Sequence, residues 1–177
     1  MKKETFVVIE DFTKNRQNGI IENYHVVVSD DALYLIKSST NYGEYVKSLF
    51  GGMGDIIGLA SGGIGLIGGL ASQLTGDKLS KFLKSHSKNN SKKYVDKVLS
   101  NLDEMAAKKK GILKIEFQKI QKIVCKKRLL INGRSYAEVF LKEGNIKLYT
   151  KTNKSIEEMM STLKRKNTNI TIETKLI

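Results

Sequence analysis

The chain has 177 residues, a length that suits one domain or one small domain carrying an insertion. Its single cysteine, Cys125, excludes an internal disulfide, and the first residues lack the apolar core of a signal peptide, so we expect an intracellular protein. The formal net charge of +13 is concentrated in residues 77–128, which hold sixteen basic and five acidic side chains. Such an excess points to an anionic partner, either lipid or nucleic acid, unless it is only a lysine-rich composition.

Three strands are predicted near the start of the chain. Residues 5–12 are rich in β-branched and aromatic side chains, and the apolar runs at 20–29 and 32–37 continue the strand pattern. Asn18-Gly19 and Asp30-Asp31 are turn signals between them. The pattern predicts consecutive antiparallel strands.

An apolar stretch follows at residues 49–74, with nine glycines and one charged residue, Asp55. Written as a helix, its small residues form one continuous stripe, as in helix pairs whose backbones approach closely. Each interior glycine costs a helix about 1 kcal/mol relative to alanine, so lipid, another helix or a second chain must compensate. The stripe and the apolar side chains between its members are Gly51, Gly54, Gly58, Gly62, Gly65, Gly69, Ile56, Ile57, Leu59, Ile64, Leu66, Ile67 and Leu70. A helix or loop that packs on its own domain, or disorder, is the alternative, and no phosphate-binding glycine motif is present.

Helices and further strands are predicted after this stretch. Residues 77–85 and 94–110 have amphipathic helical spacing, and Gly111 is a stop signal. Ser155 and Glu158 have the spacing of a capping box at the start of a third helix, 155–165. The predicted strands are 113–118, 120–125, 128–132, 135–142, 146–150 and a final strand within 168–176, with a basic turn at Lys126-Lys127-Arg128.

The order of these elements resembles bacterial pleckstrin-homology (PH) and GRAM-type domains. VVVSDDALYLIK at 26–37 is similar to their strand, tight turn and Leu-Tyr-Leu strand. ILKIEFQKIQKIVCKK at 112–127 resembles a later strand pair, and 155–164 resembles their closing helix. The resemblance implies an α+β fold, a PH-like antiparallel β-barrel of about seven strands with a C-terminal helix, interrupted by a helical glycine-rich insertion. The corresponding division is 1–37 with 112–166 as a discontinuous barrel, 38–111 as the insertion (49–76 apolar, 77–110 basic helices), and 167–177 as a tail or extra strand.

The resemblance also constrains the apolar stretch. If both flanks belong to one sheet, they lie on the same side of any membrane, so the stretch would cross an even number of times. Residues 49–74 are too few for two crossings, since one helical span needs about 20 residues. We therefore expect a segment that dips into the bilayer, lies on its surface, or forms a seam between subunits.

No catalytic constellation is evident. The two histidines, His25 and His86, lie in a predicted strand and a polar joint, so a metal site or catalytic triad would need long-range assembly. Cys125 is expected to be a buried structural thiol. We expect no enzyme activity, no cofactor and no small-molecule substrate.

The resemblance implies a PH-like binding module, and together with the apolar stretch and the basic excess it leads us to expect association with anionic lipid at the inner face of the cell membrane. PH domains that bind lipid carry basic residues on the first hairpin, where this chain has Lys14 and Arg16. One alternative is an oligomeric or partner-binding scaffold that uses the glycine stripe; another, less favoured, is nucleic-acid binding through the basic insertion. The candidate headgroup ligands are Lys14, Arg16, Lys78, Lys81, Lys84, Lys88, Lys92 and Lys93.

Overall fold

A computed structural model describes residues 6–15, 20–40, 75–87, 92–108, 111–128, 134–150, 152–166 and 169–176. Within those ranges the chain forms eight strands and three α-helices. The strands are β1 (Val7–Asn15), β2 (Ile21–Val28), β3 (Ala32–Lys37), β4 (Ile112–Glu116), β5 (Ile120–Lys127), β6 (Ser135–Leu141), β7 (Gly144–Thr150) and β8 (Thr171–Leu176). The helices are α1 (Gly76–His86), α2 (Lys92–Ala107) and α3 (Asn153–Arg165), and a short 3₁₀ helix (Phe117–Lys119) joins β4 to β5.

All eight strands belong to one open sheet with the order β4-β3-β2-β1-β7-β6-β5-β8. Neighbouring strands are antiparallel, except that β8 runs parallel to β5. The prediction of a seven-stranded antiparallel PH-like β-barrel is therefore wrong. A barrel needs its terminal strands to pair, whereas here β5 pairs with the additional strand β8, and β4 and β8 are left as the two edges of the sheet.

One hydrophobic core lies between the two halves of this sheet and α3; we call it the inner core. Both β1–β4 and β5–β8 supply alternate residues to it, such as Val26 and Leu33 from the first half and Ile123 and Val139 from the second. From α3, the fully buried side chains are Ile156, Met159 and Leu163, which have helical spacing. The sheet therefore bends around one core although its edges do not meet.

A second core, the outer core, lies on the opposite face of β1–β4, beneath α1 and α2. Successive side chains of a strand point to opposite faces of the sheet, so each of these strands supplies both cores. Val8, Val27 and Tyr34 point into the outer core, while their neighbours along each strand point into the inner core. The insertion helices thus dock on the sheet. The buried members of the outer core are Phe6, Val8, Val27, Ala32, Tyr34, Ile36, Leu79, Leu83, Val95, Val98, Leu102, Met105 and Ile112.

The start of α1 is clamped to the end of the β2–β3 hairpin. The Gly76 backbone N–H donates to the Thr40 carbonyl at 3.0 Å, and His25 Nε2 contacts Asp77 Oδ1 at 2.6 Å. A Cβ on Gly76 would lie 2.8 Å from Ser38 Cα and closer still to the Lys37 carbonyl oxygen. Glycine is required here by the close approach of two backbones.

A polar triad fixes α2 at the other end of the outer core. The Tyr34 hydroxyl donates to Asp103 Oδ1 at 2.8 Å, and Lys114 Nζ lies 2.7 Å from the same oxygen. Burial, followed by the hydrogen bond to Asp103, raises the pKa of Tyr34 above its ordinary value. The hydroxyl therefore stays protonated and keeps its role as donor.

Several local predictions need correction. The third helix begins at Asn153, with Thr152 at its N-cap and no side-chain capping bond, so the predicted capping box at Ser155 is wrong. The predicted turn at Lys126-Lys127-Arg128 is wrong in its first two residues, because β5 continues to Lys127. Residues 129–132 of the strand predicted at 128–132 lie outside the described residues, so that strand stays a prediction. The second helix, predicted at 94–110, is observed as Lys92–Ala107, and residues 109 and 110 lie outside the described residues.

Candidate anion-binding surfaces

Three of the predicted headgroup ligands lie together on α1. Lys78, Lys81 and Lys84 are exposed, while Leu79 and Leu83 on the opposite side are fully buried in the outer core. At about 100° per residue the three lysines span roughly a third of the helix circumference. We call these three residues the α1 lysine face.

Acidic groups reduce the charge of the α1 lysine face only in part. Lys84 Nζ lies 3.4 Å from Glu10 Oε2, and both side chains are accessible to solvent. Asp77 is exposed on the same helix, and its carboxylate contacts His25. Lys78 and Lys81 remain exposed beside these pairs, so the face keeps a net positive charge.

The first-hairpin candidate, Lys14, has a different environment. It lies directly opposite Glu22 in the β1–β2 register. Glu22 is buried, and its carboxylate is 2.6 Å from Lys37 Nζ and accepts a hydrogen bond from the Tyr24 hydroxyl at 2.8 Å. A carboxylate beside Lys14 opposes anion binding there, and Lys14 lies on the opposite face of the sheet from α1.

Most of the other predicted ligands lie outside the residues that the structure describes. The same holds for the glycine stripe predicted at 49–74. Arg16, Lys88 and every residue named for the apolar stretch lie outside the described residues, so those predictions stay predictions. Lys92 and Lys93 belong to the first turn of α2, but the description does not extend to their side chains. In the described ranges, no helix combines the length and the apolar character needed to cross a membrane.

Chemistry of other kinds finds little support in the described part of the chain. No group of His, Cys, Asp and Glu side chains there is arranged to hold a metal ion. Cys125 is fully buried, and burial raises the pKa of its thiol to about 11, although Lys127 and Lys164 act in the opposite direction. Such a thiol is a poor nucleophile at neutral pH.

Neither a protein-family model nor a curated protein sequence matches this chain. The resemblance to PH and GRAM-type domains therefore stays a prediction, as do the domain boundaries drawn from it.

The structure also brings together a surface that the sequence analysis missed, on the outer side of β5–β8. Lys126 Nζ lies 5.2 Å and Lys147 Nζ 4.8 Å from the centroid of the Tyr136 ring. Lys122 Nζ lies 5.1 Å from the Phe140 ring. We call this surface the aromatic–lysine face; it consists of Tyr136, Phe140, Tyr149, Lys122, Lys126, Lys147 and Lys175.

Proposed function

We propose that the protein is a non-catalytic module that associates with an anionic membrane surface. In this proposal the α1 lysine face binds lipid headgroups, and the adjoining apolar sequence at 49–74 dips into the bilayer or lies on it. The proposal places the protein at the cytoplasmic side of the cell membrane.

The observation that supports this proposal is the orientation of α1. Leu79 and Leu83 hold the helix on the sheet, so Lys78, Lys81 and Lys84 point outward from a fixed support. The helix begins immediately after the apolar stretch, so a lipid-bound stretch would bring these lysines to the headgroups. Near an anionic surface each lysine contributes about 1 kcal/mol of attraction.

The test is binding of the full-length protein to vesicles with and without about 30% phosphatidylserine. Replacing Lys78, Lys81 and Lys84 together by Gln removes about 3 kcal/mol, so affinity for the anionic vesicles should fall about 100-fold. Raising the salt concentration from about 0.1 M to about 0.5 M should strongly weaken the binding of the wild-type protein to anionic vesicles and should change the binding of the variant little. Sedimentation with vesicles measures both effects.

A matched control removes the same charge elsewhere. Lys142, Lys154 and Lys164 are exposed and lie away from α1, on the β6–β7 turn and on α3. Their triple replacement by Gln should change vesicle affinity by less than about 3-fold, because long-range attraction is screened beyond about 10 Å. Equal losses in the two triple variants would contradict a headgroup site on α1.

Deletion of 49–74 separates the two parts of the proposal. If the apolar sequence enters lipid, binding that survives about 0.5 M salt should disappear with the deletion. Salt-resistant binding that persists in the deletion variant would rule out insertion and leave only electrostatic attachment.

A further inference from the structure

The aromatic–lysine face has an ordered layout that follows from the strand register. One row across the sheet holds Lys175, Lys126, Tyr136 and Tyr149, and a second holds Lys122 and Phe140. The Tyr136 and Tyr149 ring centroids are 5.6 Å apart and tilted by 49°. Phe140 lies four positions after Tyr136 along β6, a rise of about 13 Å.

Positive charge is crowded at one end of this face. Lys126 lies directly opposite Lys175 across the β5–β8 pair, and Lys126 and Lys147 share the ring of Tyr136. Like charges opposite one another in a sheet are unfavourable unless an anion lies between them. Arg134, one residue before β6, is exposed and adds to the same end.

Two carboxylates lie between the rows and only partly offset this charge. Glu138 Oε1 lies 3.9 Å from Lys147 Nζ and also accepts a hydrogen bond from the Asn145 side chain. Glu173 contacts Lys122 at 3.6 Å and Lys175 at 3.7 Å. Lys126 has no carboxylate partner among the ion pairs of the described residues, and its ammonium is held over Tyr136.

We propose that the aromatic–lysine face binds single-stranded nucleic acid, with bases stacked on its three rings and phosphates paired with its lysines. Aromatic rings interleaved with cations on an open sheet face are what such ligands require, because every base has a flat face and every linkage a negative charge. Lysine ammonium groups lie over the rings of Tyr136 and Phe140, and all three rings are half-buried. An ammonium that turns toward a phosphate uncovers its ring for a base.

A lipid surface fits this face less well. Membrane contact calls for apolar side chains that project outward, and the exposed large apolar residues among the described ones are Ile20, Ile21, Leu113 and Leu176. None of the four belongs to the aromatic–lysine face. This inference is independent of the α1 lysine face, which lies over the other half of the sheet.

The test uses full-length protein and a fluorescent oligo-dT of about 12 nucleotides, read by anisotropy. Tyr136→Leu and Tyr149→Leu keep apolar bulk and remove the ring, so each should weaken binding about 5- to 150-fold. Tyr136→Phe and Tyr149→Phe keep the ring and should bind within about 2-fold of wild type. Equal affinities for the Leu and Phe variants, or equally tight binding of a duplex of the same length, would overturn the proposal.

A second set of variants tests the lysines of the aromatic–lysine face. This test remains informative even if one of the Leu variants fails to fold. Single strands contribute a slope of about −0.7 in log affinity against log salt for each phosphate neutralised. Replacing Lys122, Lys126 and Lys147 by Gln should therefore make that slope shallower by about 2, whereas the matched triple on α1 should leave it unchanged. If the sheet triple instead abolishes binding to anionic vesicles and leaves oligo-dT binding intact, the face is a lipid surface and the proposal is wrong.

Discussion

Replacing Gly76 by Ala should loosen the attachment of α1 to the sheet. On helix propensity alone the change should stabilise α1, by at most about 1 kcal/mol. The structure argues for the opposite sign, because the new Cβ would lie 2.8 Å from Ser38 Cα and 2.9 Å from the Lys37 carbonyl carbon. Carbon atoms pack best at about 3.5–4.0 Å, so the helix start must retreat by about 0.7 Å or more.

That retreat carries an energetic cost. It stretches the hydrogen bond from Gly76 to Thr40 beyond its useful range, at a cost of about 1 kcal/mol. It also lengthens and weakens the contact of the exposed Asp77 with His25, at a cost of about 0.5 kcal/mol. Looser packing of Leu79 and Leu83 adds about 1–2 kcal/mol. After the gain in propensity, the net loss is about 2 kcal/mol.

Native-state hydrogen exchange measures this loss where it occurs. The α1 amides, such as that of Leu79, which donates to the Thr75 carbonyl, should exchange about 30-fold faster in Gly76→Ala. Amides of α3 should keep their rates. Lys81→Ala, an exposed change in the same helix, serves as the control and should alter protection by less than about 2-fold. Unchanged or slower α1 exchange in Gly76→Ala would refute the docking geometry.

Three further outcomes are expected from urea unfolding. Tyr34→Phe should lower the free energy of unfolding by about 1 kcal/mol, because a part-buried hydrogen bond to Asp103 is lost while Lys114 and solvent still satisfy that carboxylate; an unchanged free energy of unfolding would argue against the bond. Burial raises the pKa of the Cys125 thiol from 9.0 to about 11. The stability that the neutral thiol contributes is therefore fully present below pH 9 and decreases as pH rises toward 11. Between pH 9 and pH 11 the free energy of unfolding should therefore fall by up to about 3 kcal/mol more in the wild type than in Cys125→Ala. Parallel plots of that free energy against pH for the two proteins would contradict this. Leu163→Ala in α3 should cost about 2–5 kcal/mol, whereas exposed Lys164→Ala should cost less than about 0.5 kcal/mol.

Local patterns in the sequence located most elements. The third strand, predicted at 32–37, is confirmed as Ala32–Lys37, because the Asp30-Asp31 turn signal precedes it and a polar run at 38–41 follows it. The last strand was also predicted, but its partner was not. Parallel pairing of β8 with β5 depends on where α3 returns the chain, and no residue of β8 encodes that path.

The sequence carries a signal for the docking of α1 and α2 on the sheet. Residues 26–28 and 32–36 are continuous apolar runs, which are typical of strands covered on both faces. Residues 79 and 83 supply the matching helical stripe. The aromatic–lysine face had no such signal, because its members are spread over four strands and meet only through the strand register.

The two ends of the insertion meet where the Lys37 backbone N–H donates to the Gly111 carbonyl at 2.8 Å. Geometry alone would let a short turn replace everything between them. The apolar outer side of β1–β4 prevents such a replacement, because removing α1 and α2 would expose Val8, Val27 and Ile36 to solvent. The insertion and that side of the sheet are therefore bound to change together in evolution: a descendant that loses the helices must also acquire polar residues on three or more strands.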